Sequence, residues 1–332
     1  MNHFTRIADL GVAGVADVLD EALAWKKQAP GAHLSHMILG MVFFNPSLRT
    51  RASFEAAMLR GGGHAIVLEV GSGVWKLEDR TGVVMDGDRP EHIREAIPVL
   101  GRYMDALAVR TFGALQDDDA DAADPVMNAF RELAGVPVIS MESAREHPCQ
   151  GLADLLTMRE CFGTTKKLPV TLTWAPHIKP LPKAVPHSFL LTAAAAGCEV
   201  RVAHPPGFDL HPAVLVEAQA YARQSGGSVT VSADQQHAVS GSQVIYAKAW
   251  GPATKQVAAN AATARIAAHK DWMITNKMMS AAARDAIFLH CLPVRRNVEV
   301  ADDVLDGAHS RVIDEAENRF HVQRVLLHQL LN

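Results

Sequence analysis

A short run of hydroxyl and guanidinium side chains follows an apolar segment near the start of the chain. The run reads Ser47-Leu48-Arg49-Thr50 and lies between a predicted strand, residues 37–44, and a helical pattern, residues 52–59. A strand-to-helix turn offers free backbone N–H groups and the positive end of the helix dipole, which favour an anion. The run therefore predicts a phosphate site. A simpler interpretation is that Ser47 only caps the helix and that Arg49 and Arg51 are solvated.

Two further motifs stand at the ends of predicted strands. The sequence H-P-C-Q occupies residues 147–150, and H-C-L-P occupies residues 290–293. The position of His147 at a predicted strand-to-helix junction makes it a candidate binding residue. Alternatively, His147 is a hydrogen-bonded turn residue before proline. Cys291 is either a binding residue, a buried thiol or, less simply, a covalent nucleophile.

Composition excludes several classes of protein. The net charge of -4 comes from 36 acidic and 32 basic residues in a chain of 332, so no broad basic face for nucleic acid is expected. The four cysteines form no CxxC pair, the N-terminus lacks a signal-peptide pattern, and no apolar run approaches the roughly 18 residues that cross a bilayer. The 16 histidines show no metal-binding spacing. We expect a cytoplasmic protein with free thiols, no bound metal and no membrane insertion.

Strand and helix patterns alternate along the whole chain, which predicts an α/β fold with parallel sheets. The predicted strands are residues 37–44, 65–68, 106–109 and 137–139 in a first domain, and 168–174, 199–203, 228–231, 244–248 and 287–289 in a second. A helix over residues 148–161 lies near the boundary. We place the first domain at residues 1–150 and the second at 151–317. An amphipathic C-terminal helix, residues 318–332, is predicted to pack back on the first domain.

Taken together and in order, the three motifs resemble those of the aspartate and ornithine transcarbamylase family, and the resemblance covers nearly the whole chain. It implies two doubly wound parallel-sheet domains and transfer of the carbamoyl group of carbamoyl phosphate to an amine, with no metal or organic cofactor. It implies a catalytic set of Arg110, His147, Gln150 and Cys291. In such a set a neutral His147 and an arginine near the carbonyl oxygen would stabilise the oxyanion that forms when the amine attacks. The residues that it assigns to carbamoyl phosphate are Ser47, Leu48, Arg49, Thr50, Trp75, Arg110, His147, Gln150, Cys291, Leu292 and Arg319.

The second substrate is predicted from departures within the family. Ornithine enzymes carry D-x-x-x-S-M-G, whereas the corresponding strand end here contains Lys248, which suits a carboxylate. The runs at residues 74–78, 84–88, 174–177 and 314–319 resemble the acylornithine branch. In that branch the loop with Trp75 reaches a neighbouring subunit, which implies a closed oligomer, usually a trimer. The acylornithine-binding residues implied by the resemblance are Pro90, Glu142, His177, Lys248, Cys291, Leu292 and Arg295.

Pro90 bears on the acyl group. Acetylornithine enzymes have a glutamate at this place, and its absence removes a charge that would repel a second carboxylate, while Arg89 could attract one. Glu299 stands where acetylornithine enzymes can carry a lysine, and this also favours succinyl over acetyl. The alternative for Pro90 is that it is merely the first residue of a helix over residues 91–100.

The sequence therefore predicts a carbamoyltransferase that makes N-succinylcitrulline and phosphate from carbamoyl phosphate and N-succinylornithine in arginine biosynthesis. N-acetylornithine is the nearest alternative acceptor. Other hypotheses are a catalytically silent binding or regulatory relative and an enzyme for another amine such as putrescine, which would not need Lys248. The sequence names no base for the attacking amine, and an oxygen of the leaving phosphate could accept its proton.

Overall fold

The structure is a computed structural model that describes residues 1–255 and 257–332. Its strands are short and are separated by helices or loops. In chain order they are β1 (His3–Phe4), β2 (Ile38–Phe43), β3 (His64–Glu69), β4 (Leu77–Glu78), β5 (Glu91–His92), β6 (Ala106–Arg110), β7 (Val138–Glu142), β8 (Pro169–Trp174), β9 (Glu199–Ala203), β10 (Ser228–Ser232), β11 (Val244–Lys248) and β12 (Ile287–Leu289).

The helices cover both sheets. They are α1 (Gly11–Lys27), α2 (Leu48–Arg60), α3 (Ile93–Tyr103), α4 (Asp118–Ala123), α5 (Pro125–Leu133), α6 (Pro148–Phe162), α7 (Ala184–Ala195), α8 (Pro212–Ser225), α9 (Gln235–Val239), α10 (Ala262–Ala267), α11 (Asn276–Ala281), α12 (Asp302–Leu305) and α13 (Val312–Leu331). Among the described residues, no helix has the length and apolar character that a membrane span requires.

The first sheet has five parallel strands in the order β1-β7-β6-β2-β3. Every residue of β6 and β7 is buried, which is typical of parallel strands covered by helices on both faces. The chain proceeds outward in opposite directions from the neighbouring strands β2 and β6, and at such a switch point a crevice opens beyond the carboxyl ends of the strands. The four longer strands confirm the prediction. Strand β1 was missed because two residues are too few to show a pattern.

The second sheet repeats this arrangement with the strand order β10-β9-β8-β11-β12, again all parallel. All five of its strands were predicted, and its switch point lies between β8 and β11. A separate small sheet pairs β4 with β5 through Leu77 opposite Glu91 and Glu78 opposite His92. The prediction of an α/β fold with two parallel sheets is confirmed. The domain boundary at residue 150 stays a prediction.

Helix α6 packs closely against α7 because Gly151 has no side chain. A Cβ atom there would lie 2.7 Å from the Thr192 hydroxyl and 2.9 Å from the Ser188 carbonyl oxygen, so a larger residue would force the helices apart. This approach lets the Ser188 hydroxyl accept a hydrogen bond from the backbone N–H of His147 at 2.7 Å. The N-terminal end of α6, which carries H-P-C-Q, is therefore fixed by its neighbour.

The C-terminal helix begins at Val312, six residues before the predicted start. Its first turns carry several acidic side chains, which hid the helix in the apolar pattern. Helix α13 packs against α1, α2 and α6, so the prediction that it returns to the first domain is confirmed. Asn318 is buried at this junction. Its amide donates to Thr157 at 2.9 Å and to Glu160 at 2.7 Å, and its oxygen accepts from Lys26 at 2.8 Å.

Asn318→Ala is expected to lower the free energy of unfolding by about 2 kcal/mol, because it leaves the buried partners of the amide without a hydrogen bond. Urea unfolding followed by circular dichroism measures the change. Ile313→Ala on the same helix is the control, since that side chain is 72% exposed and its loss should change stability by less than about 0.5 kcal/mol. Equal midpoints for the two variants would contradict the assigned role of Asn318.

Two other helix predictions require correction. Helix α2 begins at Leu48 rather than at residue 52, with Ser47 as its N-cap. The prediction that Pro90 is the first residue of a helix over residues 91–100 is wrong. Glu91 and His92 instead form β5, and His92 caps α3 by accepting a hydrogen bond from the Arg94 N–H at 3.1 Å. The fixed φ of proline suits an extended chain as well as a helix start, so residue type alone does not distinguish them.

Candidate active site

A cleft of about 700 Å³ lies at the carboxyl ends of strands from both sheets. It is the place where open α/β sheets bind their ligands, and here the crevices of two sheets share it. The structure brings together in its lining all but two of the predicted site residues. These are Ser47, Leu48, Arg49, Thr50, Arg110, Glu142, His147, Gln150, His177, Lys248, Cys291, Leu292, Arg295 and Arg319.

The start of helix α2 forms one part of the cleft. Ser47 is the helix cap, since its hydroxyl accepts from the Thr50 N–H at 3.3 Å, and it also lines the cleft. Arg319 of α13 donates to the Thr50 hydroxyl at 2.6 Å. Arg49 lines the cleft, so the simpler interpretation of a solvated side chain is wrong for this residue. It is correct for Arg51, which faces solvent. Hydroxyls and two guanidinium groups thus surround the positive end of a helix, where an anion is favoured.

These arginines have buried atoms without partners. Burial lowers the pKa of Arg49 and of Arg319, but a guanidinium group stays charged at any working pH. In the part of the chain that the structure describes, the Nε atoms of both side chains are buried and have no hydrogen-bond acceptor. Buried donors without partners are unfavourable, and an anion with several oxygens would satisfy them.

His147 is a neutral side chain in the wall of the cleft. Burial lowers its pKa far below the ordinary value, and the nearby guanidinium groups of Arg319, Arg110 and Arg49 lower it further. Its ring Nδ1 is buried and has no hydrogen-bond partner among the described residues. A neutral imidazole can donate one N–H to an oxygen atom on which negative charge develops, and burial strengthens that interaction.

Arg110 and Glu142 form an ion pair across the ends of β6 and β7. Arg110 also lies over the ring of Phe112, with 4.7 Å between the guanidinium carbon and the ring centroid. Glu142, which the resemblance assigned to the second substrate, therefore contacts Arg110, and one of its oxygens lies 3.8 Å from Nε2 of His147. The pair holds Arg110 in place beside His147.

The opposite part of the cleft comes from the second sheet. Lys248 stands at the end of β11 and is 8% exposed. Burial lowers the pKa of His177, whose Nε2 accepts a hydrogen bond from Nε of Arg295 at 3.0 Å. Glu299 is buried and accepts from the Arg295 backbone N–H at 2.6 Å, so it fixes this segment and does not line the cleft. Lys248 and Arg295 thus both line the cleft, and their positive charges suit carboxylate groups.

Cys291 and Leu292 lie where the two parts of the cleft meet. Burial raises the pKa of the Cys291 thiol to about 12, so it stays protonated, which argues against a nucleophilic thiolate. Leu292 has a left-handed backbone with φ of 54°, its N–H donates to Nδ1 of His290 at 2.9 Å, and a cis peptide bond joins it to Pro293. Residues 291–295 of this segment all line the cleft.

Trp75 and Pro90 lie outside the cleft of their own chain. The Trp75 side chain is 61% exposed, and its indole N–H donates to the Glu91 carboxylate at 2.7 Å. Pro90 is exposed directly before β5. Because β4 and β5 are paired, and Trp75 and Pro90 directly precede or nearly precede these strands, the two exposed residues belong to one segment, which we call the β4–β5 segment.

Gln150 has partners that the sequence did not indicate. Its amide nitrogen donates to Asp154 at 2.8 Å and to Glu315 at 2.9 Å. Asp154 follows Gln150 by four residues in a predicted helix, a spacing that could have suggested contact. Glu315 is 165 positions away and lies before the predicted start of the C-terminal helix, so no local signal could have found it.

Comparison with known proteins identifies the class of protein. Residues 2–160 match the carbamoyl-P binding domain of aspartate/ornithine carbamoyltransferase, and residues 182–330 match its Asp/Orn binding domain. The chain is 39% identical to the N-succinylornithine carbamoyltransferase of Bacteroides thetaiotaomicron, with 100% of this chain and 99% of the relative covered. It is also 39% identical to the N-acetylornithine carbamoyltransferase of Xanthomonas campestris pv. campestris, with 100% and 98% covered.

Solved structures agree with these matches. The crystal structure of acetylornithine transcarbamylase complexed with acetylcitrulline superposes with a TM-score of 0.95 at 38% identity, and 100% of each chain is covered. A glutamate-to-proline variant of N-acetyl-L-ornithine transcarbamylase, complexed with carbamyl phosphate and N-succinyl-L-norvaline, has a TM-score of 0.95 at 39% identity, with 99% of this chain and 100% of that chain covered.

The chain therefore belongs to the aspartate/ornithine carbamoyltransferase family. It is an enzyme that transfers carbamoyl groups. The equal identities to a succinylornithine and an acetylornithine enzyme do not separate these two acceptors.

Proposed function

We propose that this enzyme transfers the carbamoyl group of carbamoyl phosphate to the side-chain amine of N-succinyl-L-ornithine, giving N-succinyl-L-citrulline and phosphate in arginine biosynthesis. The observation that carries the proposal is one cleft with two cationic parts. Arg49 and Arg319 surround the start of α2, and Lys248 and Arg295 belong to the other sheet. Cys291 lies between them, close to both Arg49 and Lys248.

Carbamoyl phosphate is bound through its phosphate and its carbamoyl group. The Ser47 and Thr50 hydroxyls, the amides at the start of α2, and the guanidinium groups of Arg49 and Arg319 hold the phosphate oxygens. His147 and Arg110 donate to the carbonyl oxygen. The Oε1 atom of Gln150 is buried and has no hydrogen-bond partner in the described chain, and it accepts from the carbamoyl NH₂ group.

Transfer needs correct placement and stabilisation of charge. The neutral amine nitrogen forms a bond to the carbamoyl carbon, and the carbonyl oxygen becomes an oxyanion held by His147 and Arg110. The bond between that carbon and the phosphate oxygen then breaks, and the electron pair leaves with the phosphate. A phosphate oxygen accepts the proton of the amine. No side chain forms a covalent intermediate, in accord with the protonated thiol of Cys291.

The acceptor is recognised by charge. N-succinylornithine carries two carboxylates, one on the α-carbon and one on the acyl group, and Lys248 and Arg295 supply two cations. Free ornithine would bring an ammonium group toward these cations and would be repelled. Arg89 is held in ion pairs with Asp79 and Glu78, so we propose that residue 90 favours succinyl through its missing negative charge rather than through Arg89.

Trp75 and Pro90 complete the site of a neighbouring copy. Both lie on the β4–β5 segment and outside their own cleft, so they contact substrate only if the segment reaches another subunit of a closed homotrimer. Support for the role of residue 90 comes from the relative in which proline replaces a glutamate, because that variant is complexed with a succinyl compound.

The test is a comparison of acceptors. Purified enzyme is given carbamoyl phosphate with N-succinylornithine, N-acetylornithine or ornithine, and formation of the citrulline product is measured. We expect the highest kcat/KM for N-succinylornithine. Pro90→Glu is expected to lower that value by about 10-fold through repulsion of the succinyl carboxylate, with little loss for N-acetylornithine.

Pro90→Gln is the matched control, because it also removes proline but adds no charge. A drop of the same size in both variants would assign the effect to the backbone and would contradict the charge argument. A wild-type preference for N-acetylornithine would show that N-acetylornithine, and not N-succinylornithine, is the acceptor. Transfer to none of the three compounds would overturn the proposed reaction.

A further inference from the structure

Two buried carboxyl groups, Asp154 and Glu315, lie behind Gln150. They come from helices α6 and α13, both are fully buried, and neither lines the cleft. The proposed reaction uses neither of them. Buried carboxyl groups are unfavourable unless hydrogen bonds hold them, so their presence next to a substrate-binding side chain requires an explanation.

Their contacts determine which way the Gln150 amide faces. Both N–H groups of the amide are used, one on Oδ1 of Asp154 and one on Oε1 of Glu315. A glutamine amide that rotates by 180° exchanges its donor and acceptor ends. Because two carboxyl oxygens accept from Nε2 of Gln150, the orientation that points Nε2 toward them is favoured. The Oε1 atom then remains free to accept a hydrogen bond from a ligand.

The two carboxyl groups cannot both be ionised in this position. They share one amide partner in a buried site, where a second negative charge is strongly disfavoured. Burial raises the pKa of both groups, and the proximity of Asp154 raises that of Glu315 further. The groups that face the pair are Arg319 on α13, Arg49 on α2, Tyr246 on β11 and Cys291 after β12.

Glu315 also connects the pair to the last strand of the second sheet. Its Oε2 atom accepts from the backbone N–H of His290 at 2.8 Å, directly before Cys291. One carboxyl group of the pair therefore fixes a carbamoyl-binding side chain and the strand end that separates the two parts of the cleft.

We propose that Asp154 and Glu315 are positioning residues that share one proton and hold the Gln150 amide with Oε1 facing the carbamoyl NH₂ group of the substrate. This rests on the proposed function for the identity of the ligand. A rotated amide would place its NH₂ against the NH₂ of the substrate. The pair would thus distinguish a carbamoyl group from a ligand that has only the phosphate.

The test compares two substitutions of nearly equal size. Asp154→Leu removes the acceptor, whereas Asp154→Asn keeps an oxygen for Gln150 and offers its NH₂ to Glu315 in place of the shared proton. We expect Asp154→Leu to lower kcat by about 30-fold and Asp154→Asn to stay within about 3-fold of wild type at pH 7.

Binding is measured separately by calorimetry, with phosphonoacetamide as a stable ligand that carries the amide and methylphosphonate as the ligand that lacks it. Asp154→Leu is expected to weaken binding of phosphonoacetamide by about 30-fold and to leave binding of methylphosphonate within about 2-fold, because Ser47, Arg49 and Arg319 hold the phosphonate. Equal weakening for both ligands, or none for either, would overturn the positioning role.

The pH profile is the second readout, which applies even if Asp154→Leu does not fold. Burial raises the pKa of both carboxyl groups, so the shared proton is lost only as the pH rises, and we expect wild-type kcat to fall on the alkaline side. The side-chain amide introduced by Asp154→Asn cannot lose a proton in this range, so the alkaline fall should move to higher pH in that variant. An unchanged alkaline limb would contradict the shared proton.

These measurements separate the two proposals. If wild-type enzyme binds phosphonoacetamide but transfers to no acylornithine, the proposed acceptor is wrong. The comparison of the two ligands would still decide the role of Asp154 and Glu315. If wild-type enzyme transfers to N-succinylornithine but Asp154→Leu and wild type have identical ligand preferences, the proposed reaction stands and the positioning role is wrong.

Discussion

Arg49→Met is expected to lower kcat/KM for carbamoyl phosphate by about 1000-fold. The Arg49 side chain lines the cleft at the start of α2, together with Ser47 and Thr50, and it lies close to Cys291. Removing one preorganised donor to a developing anion typically lowers the rate by about 100- to 1000-fold, and loss of a buried positive charge adds to this. Steady-state kinetics with saturating acceptor measure the effect.

Arg51→Met is the matched control, two residues further along the same helix. Arg51 is about half exposed and forms ion pairs with Glu55 at 3.1 Å and Glu69 at 2.8 Å. Exposed ion pairs contribute little to stability, so this variant should keep its kcat/KM within about 3-fold. Comparable losses in the two variants would mean that helix α2 as a whole was disturbed, and the phosphate assignment of Arg49 would lose its support.

Lys248→Met is expected to lower kcat/KM for the acylornithine by about 100-fold and to leave binding of phosphonoacetamide unchanged. Lys248 is almost buried at the end of β11, so water cannot replace its ammonium group as the partner of a carboxylate of the acylornithine. The same carboxylate would then enter the cleft without its cation. The two measurements, acceptor kinetics and calorimetry, locate the loss on the second substrate.

Lys179→Met provides the comparison for this variant. Lys179 lines the same cleft and has the same charge, but it is exposed. Solvent and salt screen an exposed charge, so an effect below about 5-fold is expected. If both lysines lowered acceptor kcat/KM alike, general attraction of an anionic substrate, and not a specific contact of Lys248, would explain the result.

The sequence predicted those parts of the fold that depend on local pattern. Buried parallel strands appear as short apolar runs, and all nine longer strands of the two main sheets were found from them. The three motifs were each placed at the end of a predicted strand, and the family resemblance assigned their residues to one site. The structure places their residues in one cleft.

What the sequence did not indicate depends on contacts between distant segments. Glu315 lies far from Gln150 in the chain, and an acidic side chain outside the apolar pattern gives no sign that it is fully buried. The start of α13 was missed for the same reason. Pro90 has a backbone that suits either a helix or a strand, and only the pairing of β4 with β5 decides between them.

The position of helix α13 also ties the proposed phosphate site to a late stage of protein synthesis. Arg319 and Glu315 belong to this 20-residue helix, which follows both sheets in the chain, although the cleft residues that they support lie in the first half. The first sheet emerges from the ribosome early, but Thr50 and Gln150 at the proposed phosphate and carbamoyl site lack their partners until α13 has been made. A chain terminated before α13 would leave the faces of α1, α2 and α6 uncovered and would gain no stability from substrate, so proteases would remove it selectively.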